Sequence, residues 1–323
     1  MMFTKSFTQQ EPIDEATIEA AVAVLRSGRL HRYNTAPGEE AQTEALEREY
    51  AAWQGVPYCL AVTSGGQAMQ IALRAAGVKP GDSVLTNAFT LAPVPGAIAA
   101  VGAVPLFIGT TPDLTIDLDD LAAKAVQGSV LMLSHMRGHI ADMDALIGVL
   151  AANNMRLIED CAHTMGATWN GVRSGNFGLA ACFSTQTYKH INSGEGGFLT
   201  TADAKFAARA TILSGSYMLH ARHGAGPDAA AFAEARMEMP NCSARMDNLR
   251  AAILRPQLPK LDVNITRWRE RHDALSEGLA DTPLRLPKRD TRAVFVGSSF
   301  QFFLPESGPE SGPDGGKAKA FVA

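Results

Sequence analysis

Between residues 59 and 201, short apolar runs alternate with helix-like stretches, and this alternation constrains the fold more than any other feature of the chain. The runs are CLAVT (59–63), SVLT (83–86), VPLFI (104–108), VLMLS (130–134), RLIED (156–160), ACFST (181–185) and GFLTT (197–201). They are too short for helices and are apolar at successive positions, not at every second one. Strands of that kind belong to a sheet covered on both faces. With helices between them, the runs predict an α/β fold: three layers, α/β/α, around a mostly parallel sheet of seven strands.

The intervening helices carry their own signals. Residues 42–53 place Leu46, Tyr50 and Trp53 at helical spacing, with Gly55 as a stop. SGGQAMQIALRAAG (64–77) is a glycine turn running into a helix, and DMDALIGVLAANN (142–154) offers Asp142 as an N-cap. From 245 the texture changes to a long charged helix interrupted at Pro256 and Pro259. SSFQFFLP (298–305), with Phe300 and Phe302 on alternating positions, then reads as a strand of a second, smaller domain. At roughly 150 residues per domain, the expected division is 1–244, an N-terminal segment and large domain, and 245–323, a small C-terminal α+β domain. Residues 306–316 read as a loop. GGKAKAFVA (315–323) reads as the opening of a helix cut off, so the small domain is expected to be shortened or truncated.

Composition excludes several classes. Hydrophobic residues are 46% and charged residues 19% of the chain, a globular balance that rules out overall disorder. The net charge of −4 offers no general attraction to nucleic acid or an anionic membrane. No apolar run is long enough for a signal peptide or a membrane span. Cys59, Cys161, Cys182 and Cys242 are far apart, without a CxxC, and read as free thiols in a cytoplasmic protein.

In open α/β sheets, ligands collect at the carboxyl ends of the strands. Four segments there carry chemistry. Ser64-Gly65-Gly66-Gln67 opens a helix after the first strand, a turn suited to a phosphate. Asp160 ends its strand and is followed by Cys161-Ala162-His163. Ser184 is followed by Thr185-Gln186-Thr187-Tyr188-Lys189-His190, and a Gly-rich turn, NSGEGG (192–197), comes next. Singly each is weak. In this order they are the parts a pyridoxal phosphate (PLP) enzyme needs: a lysine to hold the aldehyde and shuttle protons, a carboxylate for the pyridine nitrogen, and amides and hydroxyls for the phosphate.

At these residues the chain resembles the DegT/StrS-type sugar aminotransferases, within the fold-type I, aspartate aminotransferase-like PLP enzymes. CFSTQTYKHINSGEGG (182–197), IEDCAH (158–163), Ser64-Gly65-Gly66, HMRGHIADMDAL (135–146) and NCSARMDNLRAA (241–252) are similar to that family's motifs, in its order. The likeness runs from about residue 12 to 304 and implies transfer of an amino group from an amino acid, Glu or Gln, to a keto-sugar by a ping-pong mechanism. It implies that Lys189 is the Schiff-base lysine and Asp160 the partner of the pyridine nitrogen. Ser184 and the amides of Gly65 and Gly66 would hold the phosphate. Asn241 would reach the cofactor of the neighbouring subunit in a homodimer with shared active sites.

Three positions depart from the family pattern. Gly66 stands where a Thr hydroxyl is usual, and Gln67 or a backbone amide is the expected substitute. Leu91 replaces the aromatic residue that stacks on the cofactor, losing about 0.5–1.5 kcal/mol of aromatic interaction. His163 replaces a Gln near the cofactor's phenolic oxygen and adds a group able to titrate. Lys189 itself favours amine transfer over the dehydration performed by members with His at that position. A PLP-dependent dehydratase, an aminotransferase for a non-sugar ketone and a non-catalytic PLP-binding regulatory module are the other readings. No metal site is expected, and His220 and His223 read as part of a solvated loop. Arg29, Arg32 and Arg137 are candidates for an acidic substrate such as a sugar nucleotide.

Overall fold

The computed structural model describes residues 10–305. The loop expected over 306–316 and the helix start expected over 315–323 lie outside the described residues. In chain order the elements are α1 (Glu15–Ser27), α2 (Gln42–Gln54), β1 (Tyr58–Val62), α3 (Gly65–Ala75), β2 (Ser83–Asn87), α4 (Pro93–Ala100) and β3 (Val104–Ile108). Then come α5 (Leu118–Lys124), β4 (Val130–Ser134), α6 (Met143–Ala152), β5 (Arg156–Asp160), β6 (Thr168–Trp169), β7 (Val172–Arg173), β8 (Ala180–Ser184) and β9 (Gly197–Thr201). The last are α7 (Ala204–Ser214), α8 (Ala229–Glu238), α9 (Asn248–Leu254), α10 (Leu261–Gly278) and β10 (Ala293–Val294).

All seven apolar runs become strands of one sheet, in the order β1-β9-β8-β5-β4-β2-β3. Its pairings are parallel except those of β9, which runs antiparallel to both β1 and β8. Both faces are covered except along the edge strand β3, where Val104 and Phe107 are exposed. Leu85, Leu131, Leu157 and Phe183 bury themselves in one layer of the core, with the aromatic ring of Tyr50 stacked 4.2 Å from Phe198. Their chain neighbours Val84, Val130, Ile158 and Cys182 point into the other layer, against α3, α4 and α7. That alternation is why apolar residues occupy successive positions in the middle of these runs.

The helix signals also hold. Asp142 caps α6 by accepting from the Ala145 amide at 3.0 Å, and Gly55 closes α2 at φ +81. The charged segment after 245 breaks at its prolines: a 3₁₀ stretch over 255–260 separates α9 from α10. α9 packs on α1 and α2, and Leu254, Leu261 and Ile265 join the core layer that contains Phe183.

The strand expected at SSFQFFLP is not formed. Phe303 makes one bridge to Arg285, and no ladder follows. The aromatic rings are held by other contacts: Phe300 lies 5.0 Å from the His272 ring and the Arg285 guanidinium sits 4.0 Å over Phe303. The strand of this region is β10, which extends a small sheet in the order β10-β6-β7. Cys59, Cys161, Cys182 and Cys242 are free thiols, as expected.

Candidate active site

The parallel strands bring their carboxyl ends to one edge, so Ser134, Asp160 and Ser184 come from sequence-distant segments to the same place. A cavity of about 380 Å³ opens there. Of the residues expected to bind cofactor, Ser64, Gly65, Gly66, Leu91, Asp160, His163, Ser184 and Lys189 line it. Gln67 and Asn241 do not. The Gln67 amide donates to Ser64 Oγ at 3.1 Å, and Asn241 is exposed, its Oδ1 accepting from the Ser243 amide at 2.8 Å.

The floor of the cavity is the first turn of α3. Ser64 caps the helix, and the leading amides, which no intrahelical carbonyl can reach, form the positive end of its dipole. Gly65 is needed here because a Cβ would lie 3.0 Å from Ser184 Cβ and 3.3 Å from the Phe183 carbonyl. The glycine lets the helix start press onto β8, beside the Ser184 hydroxyl. Such a concave, amide-lined helix start is suited to an anion.

Asp160 is buried at the end of β5. Its Oδ2 accepts from Ser134 Oγ at 3.0 Å and its Oδ1 from the Ala162 amide at 3.2 Å. Burial pushes its carboxyl above the usual value, against those hydrogen bonds and the charge of Lys189. Such a carboxyl gains from a cationic partner in the cavity. Ser134 was not singled out from the sequence, although it too closes an apolar run.

Lys189 sits in a loop pinned back on itself. The Thr185 amide donates to the Gly196 carbonyl at 2.9 Å and the Ser193 amide to the Thr185 carbonyl at 3.0 Å. Gly196 adopts φ +157, and a Cβ there would strike Thr185 Oγ1 at 2.3 Å, so this turn requires glycine. Burial lowers the proton affinity of Lys189; Asp160 opposes the shift and Arg137 adds to it. Its Nζ lies 3.3 Å from His163 Nε2, the distance of a hydrogen bond donated by the amine. Burial, then the charges of Lys189 and Arg137, hold His163 at about 3, so the imidazole is uncharged at neutral pH. The next residue, His190, is clamped to the far side by Ser298 Oγ at 2.8 Å and by the Trp268 ring at 5.3 Å.

Beneath Asp160, Glu159 points the other way and is fully buried. It accepts from the amides of Gly175, Phe177 and Gly178 at 2.9, 2.9 and 3.1 Å, and lies 3.1 Å from His135 Nε2. His135, Glu159 and Cys161 place possible ligand atoms within 4.8 Å of one another. The backbone amides already occupy this carboxylate, which makes it an anchor for the 175–178 loop.

Two expectations are corrected. His223 does not lie in a solvated loop: it is buried, with Nε2 3.2 Å from Glu47 Oε2 and Nδ1 3.0 Å from the Tyr33 hydroxyl. Arg32 is not available to a substrate, since it is buried and donates to both Glu47 oxygens at 2.9 and 2.8 Å. Burial would raise the Glu47 carboxyl, but Arg32 and His223 outweigh it and hold the group at about 2.

No helix among the described residues is long and apolar enough to cross a membrane. L-glutamine:2-deoxy-scyllo-inosose aminotransferase of Streptomyces lividus is 34% identical over 293 residues, covering 89% of this chain and 68% of that protein. The 3-amino-5-hydroxybenzoate synthase of Amycolatopsis mediterranei is 33% identical over 266 residues, covering 81% of this chain. The chain spans 65% of that relative's length, about two thirds as for the first. Among solved structures, DesV of S. venezuelae in complex with a ketimine intermediate superposes with a TM-score of 0.76 at 30% identity, over 88% of this chain and 73% of that one. The profile of one family matches residues 11–306. The chain belongs to the DegT/DnrJ/EryC1/StrS aminotransferase family.

Proposed function

We propose that the protein is a pyridoxal phosphate-dependent aminotransferase that moves an amino group from an amino acid, glutamate or glutamine, to the ketone of a sugar or cyclic polyol. The observation that carries this reading is the facing of Lys189, of lowered proton affinity, and the buried Asp160 carboxyl across one cavity floored by a helix N-terminus. The residues present fit the cofactor: a dipole end with close-packed Gly65 for a phosphate, and a desolvated carboxyl for a protonated ring nitrogen. Pyridoxal phosphate supplies a carbonyl that receives the amine and a ring that takes up the electrons of the breaking C–H bond.

The chain's own residues do the rest. Lys189 Nζ, its proton affinity lowered by burial, takes the proton from the substrate carbon and returns it to the acceptor carbon. His163 Nε2 orients that amine without competing for the proton, because its own proton affinity is so low. Asp160, held by Ser134 and the Ala162 amide, keeps a proton on the partner nitrogen through its negative charge. The Ser184 hydroxyl and the first-turn amides of α3 hold the phosphate. Leu91, 41% exposed at the cavity rim, covers a ring face by dispersion.

The exposed Asn241, outside this cavity, is assigned to the site of a second copy in a homodimer. The first relative acts, by its name, on 2-deoxy-scyllo-inosose, a cyclic polyol ketone, which supports such an acceptor here. Borohydride reduction of the protein with pyridoxal phosphate, followed by peptide mapping, tests the assignment of Lys189. Cofactor mass is expected on the peptide containing Lys189 and absent from Lys189→Ala. Attachment at any other lysine, or persisting in that variant, refutes it.

A further inference from the structure

Three arginines stood open as contacts for an acidic ligand, and the fold separates them. Arg29 pairs with Glu39, and Arg32 is buried on Glu47. Arg137 is exposed and has no hydrogen-bond or ion-pair partner among the described residues. Its turn is built against the cavity. Met136 lines the cavity, a Cβ on Gly138 would lie 3.5 Å from the His163 carbonyl, and the Gly138 carbonyl accepts from Arg289 Nη1 at 2.9 Å. Arg137 itself is held at φ +56, ψ +18, a left-handed conformation that its side chain does not favour. Its position is therefore imposed by the residues on either side.

We propose that Arg137 is the cation that holds the α-carboxylate of the amino-acid donor, and that it makes the enzyme require a donor bearing one. This rests on the amine-transfer reading above. The α-carboxylate is bonded to the carbon whose proton Lys189 Nζ takes, so its partner must stand near Lys189. Arg137 stands between Met136, which lines the cavity together with Lys189, and Gly138, beside the His163 carbonyl, and its charge weakens proton binding at both Lys189 and His163. The two nearer basic groups are otherwise engaged: Lys189 carries the proton and His163 is uncharged. A polyol ketone has no anion beside its reacting carbon, and a nucleotide phosphate would lie a whole ring further out. The guanidinium's planar pair of N–H groups matches the two carboxylate oxygens.

Equilibrium binding separates this claim from turnover. Lys189→Ala protein loaded with pyridoxal phosphate is titrated by calorimetry with L-glutamine and with 4-aminobutanamide, the same molecule without its α-carboxylate. Adding Arg137→Gln should weaken L-glutamine about 10- to 100-fold and leave 4-aminobutanamide within about twofold, with Arg137→Lys recovering part of the loss. Unchanged L-glutamine binding, or equal loss for both amines, overturns the assignment. Loss of uridine diphosphate binding in place of L-glutamine binding gives Arg137 to a nucleotide and overturns it too. Failure of both amines to bind the Lys189→Ala protein refutes the amine-transfer reading itself, and the carboxylate contact with it.

Discussion

Replacing Glu159 by glutamine tests how the site is braced. The carboxylate is fully buried and meets four groups: the Phe177 and Gly178 amides at Oε1, the Gly175 amide at Oε2, and His135 Nε2 at Oε2. Glutamine keeps one oxygen and turns the other into an NH₂, which His135 can accept by changing tautomer. The Gly175 amide then faces a donor, and a buried donor left unsatisfied costs about 1–3 kcal/mol. The two retained bonds fall from charge-assisted to neutral strength, a loss of about 1 kcal/mol each. Together Glu159→Gln should destabilise the protein by about 3–5 kcal/mol, read as a lower urea midpoint at unchanged slope. A loss below about 1 kcal/mol would refute the reasoning, because three buried amides would then be indifferent to the charge they share.

Other consequences are open to measurement. Asp160→Asn removes the charge that keeps the partner nitrogen protonated, so turnover should fall on the order of 10²-fold or more; retention of wild-type turnover would exclude this role. Burial holds His163 and His190 at about 3 in the folded protein against 6.5 in the unfolded chain. Between those values the unfolded chain binds more protons, so stability falls as pH drops through 6.5. By pH 5 each histidine should account for a loss of about 2 kcal/mol in the cofactor-free protein; flat stability from pH 7 to 5 would contradict the burial. Sedimentation equilibrium should return a dimer of the active protein. A fully active monomer would remove Asn241 from any shared site.

The sheet and half of the site could be read from the sequence because local patterns carry them. Strands covered on both faces carry apolar residues at successive positions, and Asp160 and Ser184 stand at strand ends where ligands gather. Lys189 was found by its place between such a strand end and a glycine turn that Gly196 makes obligatory. Residues that act through others left no such mark. Ser134 matters because β4 lies beside β5, a pairing no local pattern records. Glu159 stands next to Asp160 in the chain with nothing to mark it as the anchor of the 175–178 loop. His223 sits in a polar stretch, yet its partners Glu47 and Tyr33 belong to the other end of the chain and draw it inside. SSFQFFLP alternates Phe300 and Phe302, yet no ladder forms there; the Phe300 ring lies against His272 and the Phe303 ring under the Arg285 guanidinium.

The most direct test of amine transfer follows the nitrogen itself. The protein is loaded with pyridoxal phosphate and incubated with L-glutamine labelled with nitrogen-15 at the α-amino group, together with a six-membered polyol ketone. Mass spectrometry then reads the ketone-derived product. The account predicts an amino polyol carrying the label, and no labelled product from Lys189→Ala. A product that has lost water and gained no nitrogen, or label transfer that survives without Lys189, would contradict it.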